Sequence, residues 1–485
     1  MLSSSVGNGA HPIVDVKDGR VAVVEDVFAH IERTLARRGI DVAAAQQVVD
    51  GVEPAVAPDP VEHFPRRTRT LCEDSDGQRL RCRVLRGGVT HPNDDTSRRP
   101  RGPSADAIGH RRYGGGVTDP TFLLSGRPGA VRGVGATRSF TDPAAAVAAL
   151  RDGAVGIVGA LPFNLADPAA LWEPAQLDVD TDPACFLAAQ TPTPRTATVL
   201  ARHPEPAEHE RRVAEVVARI RDGEASKVVL ARALEFGVEE PVNPLVLASA
   251  FAGGNAAHNA FAVALDAAGD RFAGQWIVGA SPELLVRRRG RGVFCRPFAG
   301  TVARSSDPDT DRRRAESLRD SAKDLAEHAF VVDFLRERLA PFCSAVEAPD
   351  EPELLSTGEL WHLATPVSGV LLDPTTTVLD LALALTPTPA LGGTPSDAAA
   401  ELIGRYEGDR GFYGGAVGWC NADGDGDWVV TIRCVGLSAD GCRVRAWAGG
   451  GIVADSDPAA EVAETTAKFA TALRALGADP ELANR

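Results

Sequence analysis

Residues 427–453 read DWVVTIRCVGLSADGCRVRAWAGGGIV, in which the dipeptide Asp440-Gly441 separates two runs rich in β-branched and aromatic residues. Val, Ile and Trp favour strands, and an Asp-Gly dipeptide favours the tight turn of a hairpin. The stretch therefore predicts two antiparallel strands joined by a short turn.

More strand-like runs precede this hairpin. They are GAVGIVGALPF (153–163), KVVLARALEF (227–236), QWIVGASPELLVRR (275–288), GVFCRPFAGTVAR (292–304) and FYGGAVGWC (412–420). Helices are predicted over 206–223, 307–340 and 457–477 from apolar periodicity and capping residues. Strands that follow one another through hairpins, with helices between groups of strands, indicate an α+β fold with large antiparallel sheets and flanking helices. A doubly wound parallel fold is disfavoured.

The composition excludes several classes of protein. With 485 residues, of which 44% are hydrophobic, the chain can bury a large core. Its formal net charge of −15 disfavours a nucleic-acid partner. The eight cysteines form no close pairs typical of a zinc site or a small disulfide framework. No signal peptide or membrane-spanning run is evident, so we expect a cytoplasmic protein with reduced thiols and no membrane partner.

The first 115 residues differ in character from the rest. One amphipathic helix is predicted near residues 24–39, followed over 64–116 by a segment rich in Arg, Gly, Asp and Ser. We interpret residues 1–115 as an extension with a disordered linker and 116–478 as the catalytic domain. An RNA-binding role for the linker is the alternative, which its interleaved acidic residues and few aromatics disfavour.

Lysine is rare in this chain although arginine is common. The lysines are Lys17, Lys227, Lys323 and Lys468, among 51 basic residues. A coding bias towards arginine explains the rarity but not the positions that remain lysine. Because a desolvated lysine can lose its proton and an arginine cannot, these lysines are candidates for function.

Two predicted helices carry carboxylates on one face. Glu461, Glu464 and Lys468 are spaced i, i+3 and i+7 near the start of the last helix. Asp324 and Glu327 are spaced i and i+3 on the earlier one. A solvated face is the simpler interpretation of either helix alone, but two such faces together could hold magnesium, which prefers carboxylate oxygens.

Other candidates are less specific. Glu283, in GASPELL, is a charged residue among apolar neighbours, for which a solvent-exposed edge of a sheet is the plain explanation. The glycines of RPFAGT and AGGGIV could offer backbone amides to an anion. His328 is interpreted as a structural histidine.

Together these segments resemble the chorismate-binding enzyme family, which includes anthranilate, aminodeoxychorismate, isochorismate and salicylate synthases. The similarity covers about residues 119–477. It rests, in family order, on KVVLAR, GASPELL, PFAGT, SAKDLAEH, ELWHLATPVSG, TPTPALGGTP, GGAVGW, VVTIRC, AGGGIV and EVAETTAK. The resemblance implies a large α+β domain of antiparallel sheets with a buried site.

The resemblance also implies roles for individual residues. Glu327 and Glu461 match the main Mg²⁺-linked carboxylates, and Asp324 and Glu464 match assisting ones. The positions that match substrate-binding groups are Gly300, Thr301, His362, Tyr413, Arg433, Gly449, Gly451 and Lys468.

Two positions separate the chemistries within the family. Members that use an amine resemble one another in having glutamine in place of Lys227, and aminodeoxychorismate synthases carry a lysine in place of Ala299. Both residues here favour water as nucleophile, and the resemblance therefore implies an isochorismate synthase. Lys227 would be the base that activates water, and Glu283 the acid that protonates the departing hydroxyl.

Some questions stay open from the sequence. Thr386 replaces the histidine that members of this type usually have in HPTPA. A salicylate synthase, which also eliminates pyruvate, is the nearest alternative, although Ala390 and Leu391 fit the isochorismate-only pattern better. A catalytically inactive binding protein is a further alternative. We expect a monomer that acts on chorismate, and the sequence does not separate a menaquinone pathway from a siderophore pathway.

Overall fold

The computed structural model describes residues 120–126, 129–181, 194–357 and 360–484. The predicted helix near residues 24–39 and the predicted linker over 64–116 lie outside the described residues.

Strands are the most numerous elements of this part of the chain. In chain order they are β1 (Phe122–Gly126), β2 (Gly129–Val134), β3 (Arg138–Phe140), β4 (Gly156–Leu161), β5 (Ala170–Glu173), β6 (Gln176–Thr181), β7 (Ala197–His203), β8 (Lys227–Val238), β9 (Ala260–Ala264), β10 (Trp276–Gly279), β11 (Leu284–Arg289), β12 (Gly292–Arg296), β13 (Phe298–Ala303), β14 (Cys343–Glu347), β15 (Glu353–Thr357), β16 (Leu360–Ala364), β17 (Val367–Leu371), β18 (Gly393–Thr394), β19 (Ala416–Asn421), β20 (Gly426–Val430), β21 (Cys434–Leu437) and β22 (Arg443–Ile452).

The α-helices lie between groups of strands. They are α1 (Pro143–Arg151), α2 (Pro206–Arg221), α3 (Pro244–Gly253), α4 (Pro308–Arg319), α5 (Ala322–Leu339), α6 (Val378–Leu385), α7 (Ser396–Tyr406) and α8 (Pro458–Leu476). None of these helices is long and apolar enough to cross a membrane.

The single long helix predicted over residues 307–340 is wrong, because two helices, α4 and α5, occupy this range. Asp320 ends the first helix, and the Ser321 side chain accepts a hydrogen bond from the Asp324 amide to begin the second. A serine that caps a new helix interrupts the old one, since its own backbone is extended. The break places Asp324 in the first turn, and Glu327 in the second turn, of a separate helix.

The strands form two large sheets and one small one. The ten-stranded sheet has the order β18-β8-β22-β21-β10-β9-β1-β2-β6, with β7 also paired to β8. The nine-stranded sheet has the order β14-β17-β12-β11-β20-β19-β4-β5-β3, and the small sheet has the order β13-β16-β15. Strand pairs throughout the described ranges are antiparallel, as in β8 with β22 and β11 with β12. The α+β prediction is confirmed.

The two large sheets pack face to face. Phe122 and Ile277 from the ten-stranded sheet share a buried cluster with Val158 and Trp419 from the nine-stranded sheet. On the outer faces, Phe469 of α8 packs on the ten-stranded sheet, and α5 and α6 pack on the nine-stranded sheet. Burial of these apolar faces, worth about 25 cal/mol per Å² removed from water, holds the layers together.

Several runs predicted as single strands pass from one large sheet to the other. The 275–288 run divides at Ser281-Pro282 into β10 and β11, and the 427–437 run divides into β20 and β21. Proline lacks the N–H that a continuous ladder needs. Glu283, predicted within a strand, therefore lies one residue before β11, in the connection between the sheets.

Candidate active site

A cleft opens where these crossing segments, the small sheet and the first turns of α5 and α8 meet. It encloses about 930 Å³, its open mouth included. Every residue predicted for the site lines this cleft except Lys227 and Glu461, which lie directly behind its wall. The lining comes from segments separated by as many as 239 residues in sequence, from Val229 to Lys468.

Lys227 is the first residue of β8, as the sequence predicted, and is 0% exposed. Its Nζ lies 2.8 Å from Glu327 Oε1. Nζ makes no hydrogen bond of good geometry to any described residue, so the contact is an ion pair without a directed bond. The amine therefore has free bonding capacity immediately behind the cleft, between Glu327 and the glycine strand β22.

Glu283 is a buried carboxyl on the cleft wall, only 3% exposed. Burial raises the pKa of Glu283 to about 8, against the smaller lowering effects of the Phe298 amide and Lys227. A carboxyl with this pKa carries its proton at neutral pH. Glu283 is therefore available there as a proton donor, and the solvent-exposed edge position considered from sequence is excluded.

Arg433 supplies an unpaired cation to the cleft. Its guanidinium makes no hydrogen bond or ion pair with any described residue, and its φ of 51° lies in the left-handed region that non-glycine residues seldom adopt. Backbone strain of this kind collects at functional sites. The half-buried guanidinium, which also interacts electrostatically with Tyr413 and Glu464, can bind an anion, and a planar carboxylate fits it in bidentate fashion.

Lys468 and Tyr413 complete this wall of the cleft. Lys468 Nζ donates to the Gly449 carbonyl at 2.8 Å and to Glu464 Oε1 at 2.6 Å. Tyr413 stacks on Trp447 with the ring centroids 5.8 Å apart. Two cations and a phenol thus face the same space, which suits an anionic ligand with an apolar body.

Thr301 and His362 lie on neighbouring strands of the small sheet. Thr301 Oγ1 lies 3.0 Å from His362 Nδ1, and the Phe298 ring stacks on the imidazole. Burial, with Arg433 and Lys468 nearby, lowers the pKa of His362 to about 3. The imidazole is therefore neutral and acts in this cleft as a hydrogen-bonding group. Gly300, at a bulge within β13, has φ 79°, and a Cβ there would lie 3.0 Å from Asp324 Cβ.

The two acidic helix faces meet at the cleft. Asp324 and Glu327 of α5 and Glu464 of α8 line it, and Lys323 Nζ lies 3.6 Å from Glu461 Oε1. Burial raises the pKa of Asp324, and the nearby Glu327 adds to this effect. Burial acts to raise the pKa of Glu464 as well, but the pair with Lys468 outweighs it and lowers that pKa.

Glu461 approaches from the other face of β22. Its Oε1 accepts from Ser456 Oγ at 2.8 Å, while its Oε2 is buried without a hydrogen-bond partner, against Gly450. Burial and the negative charge of Glu464 raise the pKa of Glu461 to about 7. This orphaned oxygen is a buried acceptor, and the ion pair with Lys323 involves the other oxygen, Oε1.

The carboxylates fit a hard divalent cation by their chemistry. The carboxylates offer oxygen donors, and one of these, Glu461 Oε2, has no hydrogen-bond partner. Burial raises the pKa of Asp324 and Glu461, which means that their negatively charged forms are disfavoured. A bound cation would offset that negative charge. Within the described ranges, no group of three or more Asp, Glu, His or Cys side chains is arranged to hold a metal ion by itself. Mg²⁺ usually takes one or two protein carboxylates and completes its shell with water and substrate, so a site here would need the substrate as well.

The structure also shows where His328 and Thr386 lie relative to the cleft. His328 does not line the cleft; its Nε2 lies 2.7 Å from Thr365 Oγ1, a structural position. Thr386, which replaces the usual histidine, is also outside the lining, and its hydroxyl donates to the Ala382 carbonyl at the end of α6. Thr386 thus satisfies a carbonyl at the end of α6 and does not itself line the cleft.

Sequence reasoning assigned no role to several lining residues. Trp447 lies two and four residues before Gly449 and Gly451 on β22, so period-2 alternation could have placed it on the cleft face. Val229 lies two residues after Lys227 on β8, so the same alternation could have placed it on the cleft side of that strand. Lys323 lies within SAKDLAEH, but only its distance from Glu461 on another helix shows that it stands at the cleft mouth.

Comparison with known proteins identifies the family that this chain matches and several named relatives. The family model described as "Chorismate binding enzyme" matches residues 172–477. The putative isochorismate synthase MenF of Mycobacterium tuberculosis is 45% identical over 364 residues, which is 74% of this chain and 97% of that protein. The isochorismate synthase DhbC of Bacillus subtilis is 46% identical over 277 residues, 57% of this chain and 69% of that one.

A solved structure shows the same architecture. The crystal structure titled putative 2,3-dihydroxybenzoate-specific isochorismate synthase, DhbC, from Bacillus anthracis, aligns with a TM-score of 0.67 at 35% identity. The alignment covers 74% of this chain and 96% of that one.

Proposed function

The chain belongs to the chorismate-binding enzyme family, and on that premise we propose that it is an isochorismate synthase, which adds water at C2 of chorismate and releases the C4 hydroxyl. The observation that carries the proposal is the pairing of a buried lysine, Lys227, with a buried and protonated carboxyl, Glu283, at one cleft. One solved relative is titled a menaquinone-specific isochorismate synthase and another a putative 2,3-dihydroxybenzoate-specific one. We propose that the product serves menaquinone or siderophore biosynthesis.

Substrate binding follows from the cations of the cleft. Chorismate carries two carboxylates on an apolar ring with an enolpyruvyl ether. Arg433 and Lys468 hold these carboxylates, and Tyr413 packs against the ring beside Trp447. Gly449 and Gly451 leave room for the ligand, because neither projects a side chain from β22. The neutral His362 and Thr301 donate to substrate oxygens from the small sheet.

The reaction needs one base and one acid. Water is a poor nucleophile and hydroxide a poor leaving group, so a proton must be removed at C2 and supplied at C4. Lys227, once it has released the proton that it carries in the ion pair with Glu327, accepts the proton of the attacking water. Glu283 gives its proton to the C4 hydroxyl, which leaves as water. The net result conserves atoms, since one water enters and one departs.

Magnesium is the cofactor we propose, held by Glu327 and Glu461 with assistance from Asp324 and Glu464. When bound, it would hold a substrate carboxylate and offset the charge of these side chains. We further propose that the enzyme works as a monomer in the cytoplasm, without a nucleic-acid or membrane partner.

Product analysis tests the function and separates it from the alternatives. Purified protein is incubated with chorismate and MgCl₂, and the products are identified by chromatography, with a coupled assay for pyruvate. Isochorismate without pyruvate is expected, since apolar Ala390 and Leu391 line the cleft. Salicylate with equal pyruvate would instead establish a salicylate synthase, and unchanged chorismate would favour an inactive binding protein.

Metal and substrate are expected to strengthen each other's binding. If Glu327 and Glu461 share Mg²⁺ with a substrate carboxylate, each ligand must raise the affinity of the other by the same factor. Calorimetric titration of chorismate into the Lys227→Gln variant, with and without Mg²⁺, measures this factor without turnover. Equal affinities in the two titrations would refute the model of a shared ion. A Glu461→Gln enzyme with unchanged magnesium dependence would show that Glu461 is not a ligand of the metal.

Replacing Gly451 with alanine is expected to lower kcat on the order of 100-fold, because displacements near 1 Å have effects of this size. The added Cβ would overlap Glu327 Oε1 and lie 3.1 Å from Lys227 Cε. Gly404→Ala in α7 is the matched control, since nothing lies within 4 Å of its added Cβ. Steady-state kinetics of both variants decide the matter, and a Gly451→Ala enzyme as active as the control would contradict this geometry.

Deleting residues 1–115 is expected to leave folding and turnover largely intact. The family match begins at residue 172, and the cleft lining lies between Val229 and Lys468. Circular dichroism and kcat of the shortened chain test the proposed boundary. Loss of soluble protein on truncation would show that the extension is needed by the catalytic domain.

A further inference from the structure

The edge of β8 has a gap in its strand pairing next to the proposed base. On one edge β8 pairs with β22 without interruption from Val228 to Gly237. On the other edge β18 pairs only with Lys227 and Val228, and β7 pairs only from Ala233 onwards. Residues 229–232 therefore have no strand partner on this edge within the described part of the chain.

Two buried side chains occupy that gap. The Ala231 amide donates to Glu407 Oε1 at 2.7 Å, and Arg410 Nη2 donates to the Val229 carbonyl at 2.8 Å. Glu407 thus supplies the acceptor, and Arg410 the donor, that a neighbouring strand would have offered. Arg410 also donates two hydrogen bonds to the Glu407 carboxylate, from Nε at 2.7 Å and from Nη2 at 2.6 Å.

The same guanidinium reaches a second wall of the cleft. Arg410 Nη1 donates to the Leu391 carbonyl at 2.7 Å, and Leu391 and Val229 both line the cleft. The Arg410 carbonyl in turn accepts from the Tyr413 amide at 3.1 Å. One ion pair therefore joins the strand of the base, the loop before β18 and the turn that carries Tyr413.

Stability alone is a weak reason for this pair. The side chains of Glu407 and Arg410 are 8% and 3% exposed. Burying two charges has a desolvation penalty that the ion pair often fails to recover, and apolar replacements are frequently as stable. What apolar residues cannot supply is the set of directed bonds to the Val229, Ala231 and Leu391 backbones.

We propose that Glu407 and Arg410 are positioning residues of the reaction, which replace a missing strand segment and fix Lys227 against the cleft. This inference rests on the proposed function. Neither side chain lines the cleft, so they act through β8 and the Leu391 loop. Arg433 and Lys468, which hold the substrate, are not bonded to the pair.

The variants Arg410→Lys and Glu407→Gln test the inference. Lysine keeps the charge but lacks the planar fork, so it cannot serve Glu407, Val229 and Leu391 together. We expect kcat to fall on the order of 100-fold, with KM little changed, because the base moves and the carboxylate-binding cations do not. Glu407→Gln, which keeps an acceptor for the Ala231 amide, should show a smaller fall in the same direction.

The control is the exposed pair Glu401 and Arg405 on α7, whose side chains are 75% and 43% exposed. Glu401→Gln and Arg405→Lys should leave both kcat and KM unchanged. A lower melting temperature with unchanged kcat in Arg410→Lys would show a purely structural role and overturn the inference. A rise in KM as large as the fall in kcat would overturn it too, since the displaced element would then be the substrate-binding wall.

Hydrogen exchange gives a readout that does not depend on turnover. In Arg410→Lys the peptide spanning residues 227–238 should exchange faster than in the unmodified protein, with no change in the Arg405→Lys control. If the unmodified protein fails to make isochorismate but this exchange pattern is found, the function is wrong and the strand-replacement role stands. Unchanged exchange together with unchanged kcat would reject the positioning role while the function stands.

Discussion

Replacing Lys227 with glutamine is expected to lower kcat for isochorismate formation by roughly 10²- to 10⁴-fold, the usual range for loss of a general base. Glutamine has a similar length but no basic nitrogen, and the substrate-binding cations Arg433 and Lys468 are untouched. Chorismate should therefore still bind. Steady-state kinetics measure the fall, and calorimetry of chorismate binding shows that the cleft is intact.

A Lys227→Arg variant separates the base from a fixed positive charge. Arginine keeps a cation near Glu327 but does not lose its proton in a protein, so this variant should be as inactive as Lys227→Gln. Near-normal activity in either variant would mean that another group activates water.

Replacing Glu283 with glutamine is expected to have a comparably large effect, because the amide N–H groups are far too weakly acidic to protonate the departing hydroxyl. A decrease in kcat of about 10²- to 10⁴-fold is the range expected for loss of a general acid. Glu283→Asp is the matched variant, since it retains a carboxyl. It should be more active than Glu283→Gln.

The pH profile tests the same residue independently. Burial raises the pKa of Glu283 to about 8, and the acid works only when protonated. The protonated fraction is high below that pH and falls above it, so kcat/KM of the unmodified enzyme should decline as pH rises through about 8. The residual activity of Glu283→Gln should lack this limb; if the limb persisted there, a different group would be responsible.

Local chemistry allowed much of the fold to be predicted. Asp440-Gly441 marks a hairpin because few other dipeptides accept that turn, and Asp457-Pro458 marks the start of α8. The points at which the chain passes from one sheet to another were not predicted, although Pro282 and Pro297 mark two of them in the sequence. Strands buried on both faces are apolar throughout, so alternation gives no sign of where a run changes sheet. The helix break at Ser321 had a capping signal that the longer apolar pattern obscured.

The candidate site was predictable where spacing or resemblance pointed to it. Asp324 and Glu327, like Glu464 and Lys468, share a face by helical periodicity alone. The pairing of Lys227 with Glu327 joins residues 100 positions apart, and no local pattern encodes it. Arg410 was missed for a related reason, because its partners Val229 and Leu391 are backbone carbonyls that no side-chain motif identifies.

The most direct measurement is the source of the new hydroxyl oxygen. The enzyme is incubated with chorismate and MgCl₂ in water enriched in oxygen-18, and the isochorismate is analysed by mass spectrometry and NMR. The account predicts one oxygen-18 atom, located on C2, at the enrichment of the solvent, and a rate of labelled product from Lys227→Gln that is lower by roughly 10²- to 10⁴-fold. Isochorismate formed at the normal rate without label would contradict it, since the hydroxyl would then have moved within the substrate and no water would have been activated.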